Sequence, residues 1–477
     1  MAEPKIIRID PVTRIEGHAK ISIIVNEQNE VVNAQFHVDE FRGFEKFCEG
    51  RLYTEMPVIT PRICGICPVS HSLASAKACD ELQRVQLTET GTNLRKLLQL
   101  GQILSSHALS FFYLSAPDLL LGWDSDPALR NIVGMAEKFP EIAKQGIRLR
   151  KFGQEISLQL TGKKIHTNGV IAGGVAAPLQ SESRDELRRA IPEALKTVQM
   201  GLKIFKDYMG QHQEEVETFS PTPTVYMGLV GMHGRHEFYD GTLRWVGVDG
   251  QILQDQVSPQ SYLDWIGEQP VEFSYLKYPF FKPLGMPQGI YRVGPLARLN
   301  ICSGMKTPLA QTEWELFRGL KAGSIVHGTF YYHYARLIEM LTAIEQIEEL
   351  LFDPQILMPQ VHVEAKLNQE EGIGCTEAPR GTLFHHYRVD SGGKLTMVNL
   401  LIATGQNNPS MNQSILDIAK QYIHGSEVPE GVLNRIEAAI RCYDPCLSCS
   451  THAMGQMPLM IKMLNESGQV LRTIHRD

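Results

Sequence analysis

The chain has 477 residues, 43% of them hydrophobic, which is enough apolar material for a large buried core and for two or three domains. Its 46 basic and 53 acidic residues give a formal charge of -7, and neither sign gathers into long blocks. This balance argues against nucleic acid as a partner and against a polybasic membrane patch.

The N-terminal stretch predicts a small antiparallel sheet. The segments KIIRID, HAKISIIV and VVNAQFHV are rich in β-branched residues and alternate between apolar and polar positions. Charges at Glu3, Lys5, Arg8 and Asp10 interrupt any apolar core of the length that a secretory signal requires. We therefore expect a cytoplasmic protein, with any membrane association peripheral and through partners.

After residue 70 the apolar period changes to that of long helices. Apolar residues recur at helical spacing over 94–112, 187–205 and 337–351, which predicts core-facing helices. The longest uncharged stretch, 97–117, contains too many polar groups for a lipid-facing span, so we expect a helix buried in protein and no transmembrane segment.

Turns dominate the middle of the chain, and regular elements return near its end. Residues 219–295 carry turn after turn and predict an irregular excursion over the surface. TLFHHYRVD, the turn SGG and KLTMVNLLIAT predict a hairpin, followed by helices around 410–423 and 429–441. Because no linker is evident, the sequence favours one large α+β domain, predominantly α, with a central bundle of long helices and small peripheral antiparallel sheets.

Nine cysteines include two Cys-x-x-Cys pairs, one near each end of the chain, each with a histidine shortly after it. The residues are Cys64, Cys67 and His71, and Cys446, Cys449 and His452. The odd total argues against a disulfide framework, whereas two such turns can supply four thiolates to one metal site.

A structural zinc site is the plain alternative for two such pairs. Zinc ribbons, however, join their pairs over a short loop, whereas most of this chain separates the two turns. The dinucleotide-binding glycine pattern and the P-loop are missing, and the five other cysteines are too scattered for an iron–sulfur cluster. His107, His166 and His385 are interpreted as core or loop histidines.

Five motifs in order resemble the nickel-bearing large subunit of [NiFe] hydrogenases over essentially the full length. They are RIDPVTRIEGH (8–18), FRGFEKFCEGR (41–51), RICGICPVSH (62–71), TEAPRGTLFHH (376–386) and DPCLSCSTH (444–452). Stretches such as LSFFYLSAPDLLLGWDSDP look most like the soluble, bidirectional NAD(P)-linked branch of cyanobacterial type. The resemblance implies reversible heterolysis of H2 into protons and electrons.

The resemblance implies a nickel–iron site held by the four cysteines. Cys64 and Cys446 would bind nickel terminally, while Cys67 and Cys449 would bridge it to an iron carrying two cyanides and one carbon monoxide. Soft thiolates suit nickel, and their negative charge stabilises its higher oxidation states.

Other positions acquire roles from the same motifs. Arg380, beside Pro379, would lie above the metals and donate to one cyanide, and Thr404 would donate to the other. His71 would hydrogen-bond a sulfur. Ser106 stands where many uptake-type relatives have an aspartate, so the environment above the metals would carry less charge.

Protons would pass from the Cys446 thiolate to Glu16, and Asp444 would pair with Arg380. Glu45, through bound water, and His452 would hold a structural Mg²⁺.

The last 25 residues would be a removable extension. Residues 1–452 would form the large-subunit domain, and 453–477, with two apolar runs around the turn NESG, would form a hairpin that is cut off once nickel is in place. This implies a maturation chaperone and a C-terminal endopeptidase as partners.

Electrons would leave through a small subunit with an iron–sulfur cluster and a flavin-containing diaphorase that reduces NAD(P)⁺. Three alternatives stay open: a hydrogenase coupled to a deazaflavin or ferredoxin, a scaffold related to the quinone-site subunit of complex I, and a zinc-stabilised interaction protein. The complex I branch lacks the two cysteine pairs.

Overall fold

The computed structural model describes residues 5–40, 42–425, 427–451, 459–464 and 470–476. The longer helices are α3 (Pro68–Gln83), α4 (Glu89–Ala108), α7 (Pro140–Thr161), α8 (Ser181–Gln211), α12 (Pro308–Gly319), α13 (Tyr332–Phe352), α14 (Ala403–Tyr422) and α15 (Glu430–Tyr443). The shorter helices are α1 (Phe44–Cys48), α2 (Met56–Ile59), α5 (Ala116–Leu121), α6 (Ile132–Lys138), α9 (Gln213–Thr218), α10 (Tyr262–Trp265), α11 (Pro295–Ile301) and α16 (Leu447–Ser450).

The strands form six small sheets in the described part of the chain. They are β1 (Lys5–Ile9), β2 (Lys20–Val25), β3 (Val31–His37), β4 (Val170–Ile171), β5 (Gly174–Val175), β6 (Val225–Val230), β7 (Thr242–Val246), β8 (Ile252–Val257), β9 (Ile266–Val271), β10 (Ser274–Phe281), β11 (Tyr291–Arg292), β12 (Glu371–Ala378), β13 (Gly381–Val389), β14 (Leu395–Leu401), β15 (Leu459–Leu464) and β16 (Val470–Arg476). The orders are β1-β2-β3, β4-β5, β11-β6-β7-β8, β10-β9, β12-β13-β14 and β15-β16. All pairs are antiparallel except β11 with β6.

The long helices form the central bundle that the apolar spacing predicts. α4 packs against α7 and α13, and α8 packs against both of these. A β carbon on Gly153 would lie 2.4 Å from the Gly101 carbonyl oxygen, so only glycine permits this close crossing of α4 and α7. None of the described helices is long and apolar enough to cross a membrane.

The predicted surface excursion over 219–295 is wrong. The segment contains β6 to β11, β6 is buried along its whole length, and Trp245 on β7 is fully buried. Short strands alternate here with proline and glycine turns, and a prediction based on the turns alone misses the strands. The apolar run VYMGLV is typical of a strand covered on both faces, which is the signal that indicates burial here.

The β12-β13-β14 sheet and α3 together support the site described below. A β carbon on Gly374 of β12 would lie 1.9 Å from the Ala74 carbonyl oxygen of α3. Glycine therefore lets helix and strand touch through their backbones, which fixes the start of α3 against the β12–β13 turn. The predicted N-terminal sheet, the β13–β14 hairpin and the C-terminal hairpin are confirmed.

Candidate metal centre

Four cysteine sulfurs from opposite ends of the chain converge in the core. No disulfide joins these four cysteines, none is more than 5% exposed, and their sulfurs lie within 4.8 Å of one another. The sulfur–sulfur distances are 3.1 Å for Cys64 and Cys446, 3.3 Å for Cys67 and Cys449, and 2.9 Å for Cys446 and Cys449.

Helix starts and tight turns place these sulfurs. Cys67 is the N-cap of α3, where Pro68 is compatible with the first turn, and Cys446 is the N-cap of α16. The Ile66 and Cys67 amides donate to the Cys64 sulfur at 3.1 and 3.4 Å. Each Cys-x-x-Cys turn thus directs both of its sulfurs toward the same point.

An N-terminal arginine ties the two cysteine loops together. The Arg42 guanidinium donates to the Ile63 carbonyl at 2.5 Å, just before Cys64, and to the Ser448 carbonyl at 3.3 Å, just before Cys449. Its backbone amide donates to the Thr451 carbonyl at 2.8 Å. Arg42 lies inside a motif quoted above but was not singled out from the sequence.

The protonation of the cluster favours a bound cation. Hydrogen bonds from Cys446, Cys449 and Cys64 lower the pKa of Cys67, while burial raises the pKa of Cys446 and Cys449. Without a cation, buried negative charges on these sulfurs would repel one another. A soft metal ion allows all four sulfurs to ionise, so the donor set fits nickel, iron or zinc.

Arg380 occupies the turn between β12 and β13, above the sulfurs. Ala378 pairs with Gly381, so Pro379 and Arg380 form the two-residue turn. The guanidinium lies 3.1 Å from the Asp444 carboxylate, donates to the Asp444 carbonyl, and reaches the Ser106 hydroxyl at 3.4 Å. Burial alone would lower the pKa of Arg380, but Asp444 and the cysteine sulfurs raise it, so this arginine stays charged.

One nitrogen of the Arg380 guanidinium, Nη2, has no hydrogen-bond acceptor among the described residues. Nη2 is buried, and the part of the chain that the structure describes offers it no acceptor in hydrogen-bonding geometry, although Asp444 pairs with its charge. Burial raises the pKa of Asp444, with Arg380 opposing that shift. A buried N–H without a hydrogen-bond acceptor, on an arginine whose charge interacts with the cysteine sulfurs, fits a metal carrying its own acceptor ligands.

Arg298 hydrogen-bonds to the backbone just before Arg380 and so fixes the Arg380 turn. The sequence analysis did not identify this residue. Arg298 is 1% exposed and donates to Glu339 at 2.6 and 2.7 Å and to Glu377 at 2.6 Å. It also donates to the carbonyls of Ala378 and Pro379, both at 3.1 Å. Nothing in the sequence around Arg298 distinguishes it from a surface arginine.

The other predicted site residues make hydrogen bonds to the backbone near the cysteines or farther from them. The Thr404 hydroxyl accepts from the Cys446 amide at 3.0 Å. Glu16 forms a parallel bridge with Cys446, and its half-buried carboxylate accepts from the Ser448 amide at 3.0 Å and from the Ser448 hydroxyl. Glu45 accepts from the Leu400 amide at 2.7 Å, and burial raises its pKa to about 7. His452 lies outside the described residues.

His71 contacts the cluster through its ring. Nε2 lies 3.4 Å from the Cys449 sulfur, and Nδ1 lies 3.1 Å from Nε2 of His385. The interpretation of His385 as an ordinary core histidine overlooked this contact. The signal was present, because His385 and Tyr387 share one face of β13 and Ser75 follows His71 by one helical turn.

Four buried cysteines beside a charged arginine define the class of site: one that can hold a soft metal ion. A family described as nickel-dependent hydrogenase matches residues 42–123 and 234–452, and one described as HoxL-like matches residues 6–41. The chain therefore belongs to the nickel-dependent hydrogenases, which are oxidoreductases, and the resemblance stated from the motifs is confirmed.

Relatives match over almost the whole chain. The NAD-reducing hydrogenase HoxS subunit beta of Cupriavidus necator is 42% identical, covering 97% of this chain and 98% of its own. One subunit of the F420-non-reducing hydrogenase vhc of Methanococcus voltae is 40% identical, covering 98% and 99%. A crystal structure of an NAD⁺-reducing [NiFe]-hydrogenase in the H2-reduced state superposes with a TM-score of 0.92 at 42% identity, covering 94% of this chain and 99% of that one. The predicted fold class is confirmed.

Proposed function

We propose that this chain is the catalytic subunit of a cytoplasmic hydrogenase that couples reversible H2 oxidation to NAD(P)⁺ reduction through partner subunits. The convergence of four buried sulfurs from the two ends of the chain carries the proposal. The near full-length similarity to a protein named as an NAD-reducing hydrogenase supports the choice of acceptor.

The four cysteines would hold a nickel–iron group with carbon monoxide and two cyanides on the iron. Cys64 and Cys446 would bind nickel terminally, and Cys67 and Cys449 would bridge the two metals. When bound, this group supplies a Lewis-acidic, redox-active centre for splitting H2. Metal content together with the infrared bands of bound carbon monoxide and cyanide tests the assignment, and zinc without those bands would refute it.

Arg380 and Thr404 would orient the diatomic ligands. The spare Nη2 donor of Arg380 supports a hydrogen bond to one cyanide, and Pro379 would line the same side. Thr404 accepts from the Cys446 amide through its oxygen, which leaves its O–H to donate to the other cyanide. Asp444 fixes the guanidinium that makes the first of these contacts.

Protons would move between Cys446 and the surface through Glu16. The Cys446 sulfur is the proposed first acceptor, because a guanidinium that stays charged offers no lone pair. Glu16 is paired to the Cys446 backbone, and its carboxylate is only half-buried, so it can exchange protons outward. Glu16→Gln keeps the shape of the side chain and should abolish turnover while leaving the infrared bands in place.

Glu45 and His452 would hold a structural Mg²⁺. The raised pKa of Glu45 supports this role, since a partly buried carboxylate gains stability from a nearby hard cation. Loss of Mg²⁺ in Glu45→Gln, measured by elemental analysis with nickel retained, would support the site. Unchanged Mg²⁺ content would refute it.

Residues 453–477 would be removed by an endopeptidase after a chaperone has assisted nickel insertion. The family match ends at residue 452, which supports a domain boundary there. Mass spectrometry of active enzyme should give a chain that ends at His452. A full-length active chain would contradict the proposal.

Electrons would leave through a small subunit with an iron–sulfur cluster and through a flavin-containing diaphorase. The scattered cysteines outside the cluster support the need for such partners. The similarity at 40% identity to one subunit of an F420-non-reducing hydrogenase favours a second candidate, a large subunit coupled to ferredoxin or another acceptor. H2-driven NAD⁺ reduction by the purified complex separates the two.

A further inference from the structure

Three buried polar side chains lie on one face of helix α4. Gln99, Gln102 and Ser106 follow one another at spacings of three and four residues, which places them on the same side of the helix. All three are at most 5% exposed. Burying a polar side chain costs free energy unless it finds a partner, so the partners of these residues show which parts of the fold this face holds.

Gln102 hydrogen-bonds to the backbone on both sides of Cys67. Its Nε2 donates to the Ile66 carbonyl at 2.7 Å, and its Oε1 accepts from the Val69 amide at 3.2 Å. These two contacts fix the orientation of the amide group, because only its nitrogen can donate and only its oxygen can accept. Gln102 therefore holds the end of the first cysteine turn, whereas Arg42 holds the start of that turn.

The other two side chains of this face contact the Arg380 turn. Gln99 Nε2 donates to the Glu377 carbonyl, near the end of β12. The Ser106 hydroxyl accepts from Arg380 at 3.4 Å. Gln102 lies between these two contacts along the helix, about 4.5 Å from Gln99 and about 6 Å from Ser106 in helical rise. One helix face thus bonds to the cysteine turn and, on either side of that contact, to the arginine turn.

Helix α4 can fix a distance because other buried contacts anchor it near both ends. Near its start, Arg95 donates to Asp80 of α3 at 2.5 and 3.2 Å. Near its end, His107 Nε2 lies 2.8 Å from the Glu339 carboxylate of α13. All four of these side chains are buried. A shift of α4 along its axis would break both anchors together with the contacts to the two turns.

We propose that Gln102 and Gln99 are positioning residues through which α4, in addition to the contact between α3 and β12, fixes the separation between Cys67 and Arg380. The inference rests on metal binding by the four sulfurs, as proposed above. Both glutamines act through backbone groups: Gln102 through the turn that carries Cys67, and Gln99 through the strand that leads to Arg380. Such partners orient the groups that contact a metal and its ligands.

Hydrogen exchange of the full-length metal-free chain tests the contact of Gln102. Gln102→Met keeps the length of the side chain but removes both hydrogen bonds, so peptides that cover residues 62–71 should exchange their amide protons faster. Asn300→Leu is the matched control, because Asn300 is also 5% exposed and its amide group donates to and accepts from the backbone of Val326. It should leave residues 62–71 unchanged. Equal exchange of this segment in all three chains would overturn the role of Gln102.

Titration of the same three chains with Co²⁺ tests whether the turn is held for a metal, because thiolate ligation gives Co²⁺ an intense absorption. Gln102→Met should weaken Co²⁺ binding by roughly 10- to 100-fold, the usual effect of losing a partner that orients a metal ligand. Asn300→Leu should bind Co²⁺ as tightly as the unsubstituted chain. Equal affinity of Gln102→Met would overturn the inference and leave the metal centre standing. Absence of thiolate absorption in the unsubstituted chain would refute the metal centre, and the inference with it.

Infrared spectra of the mature enzyme test the contact of Gln99. Gln99→Met removes the bond to the Glu377 carbonyl and leaves Gln102 in place, so nickel and iron content should be unchanged. The cyanide bands should shift, because their frequency responds to the hydrogen bond that Arg380 would donate. Asn300→Leu is again the control and should keep the bands of the unsubstituted enzyme. Unshifted bands in Gln99→Met would overturn the role of Gln99.

Discussion

At the residue scale, the arginine above the sulfurs combines full burial with a nearly balanced charge. Arg380 is 3% exposed and pairs with Asp444, and Arg298 holds the carbonyl just before it. A planar guanidinium can satisfy Asp444 and Ser106 while directing a further N–H at the metal ligands, whereas an ammonium has no such fork.

Arg380→Lys should therefore lower H2 turnover by roughly 10²-fold, the usual effect of losing one preorganised donor at a reaction centre. Nickel and iron content should stay near the unsubstituted level, because the four sulfurs are unchanged. Arg388→Lys, at the other end of β13 and 57% exposed, is the control and should retain full activity. Equal activity of the two variants would show that the guanidinium geometry above the sulfurs is irrelevant.

Glu45 predicts a pH dependence of stability in the metal-free chain. Its pKa is about 7 in the fold against 4.5 for the unperturbed group, because burial disfavours the carboxylate. The protonated group is compatible with the folded state at low pH, so stability should fall between pH 4.5 and 7 and level off above. The expected loss is roughly 2 kcal/mol after allowance for partial exposure.

Urea unfolding of metal-free chain at pH 5 and pH 7.5 measures this loss, and Glu45→Gln should reduce it. Glu55→Gln, an exposed carboxylate paired with Arg51, is the control and should not. Because Mg²⁺ stabilises a carboxylate, its addition should flatten the slope only in chains that keep Glu45. The same slope in Glu45→Gln would argue against the raised pKa.

At the element scale, the contact between α3 and β12 decides where the first cysteine pair lies. Gly374 and Gly372 of β12 both face the α3 backbone, with no room for a β carbon. Since Cys67 caps the start of α3 and β12 ends just before the Arg380 turn, this contact sets the distance between the arginine and the sulfurs.

Gly374→Ala should push helix and strand apart. We expect a loss of about 1–3 kcal/mol in the free energy of unfolding, as for other overpacked cores, together with weaker metal retention. Gly210→Ala, on α8 with open space around it, is the control and should be neutral or slightly stabilising. Chemical denaturation and metal retention under a chelator give the two readouts. Normal retention in Gly374→Ala would mean that the contact does not position the site.

Elements with a clear periodicity were predictable from the sequence, and elements fixed by distant contacts were not. The bundle helices and the β13–β14 hairpin follow from the spacing of their own side chains. The sheet that contains β6 does not, because its strands are short and its parallel neighbour β11 arrives about sixty residues later.

The residues of the site also include some that the sequence predicts and some that it does not. The spacing of the four cysteines in the sequence predicts that they form a site. Arg42, Arg298 and His385, by contrast, join the site only through contacts with residues far away in sequence. No local pattern separates such a buried arginine from a solvated one, because its partners are backbone carbonyls that carry no sequence signature.

At the scale of the whole molecule, the two ends of the chain close one site. Residues before position 20 and after position 440 meet at the bridge between Glu16 and Cys446, and Arg42 joins both cysteine loops. Within the described residues, the four cysteines are at most 5% exposed, so the closed fold gives a metal ion little access to them. Loading before closure would solve this problem, and an extension that delays closure would provide the time.

A chain truncated after His452 should therefore close too early. Expressed from the start without residues 453–477, it should fold but contain several-fold less nickel than the full-length chain produced beside the same maturation proteins, because its C-terminal loop can dock on Arg42 before the metals arrive. Elemental analysis of both purified chains, with mass spectrometry to verify their ends, measures the difference. Arg42→Ala in the truncated chain should restore part of the nickel by weakening the docked state, whereas Arg51→Ala, a half-buried arginine nearby that pairs with Glu55, should not. Equal nickel in the truncated and full-length chains would show that the extension does not control closure.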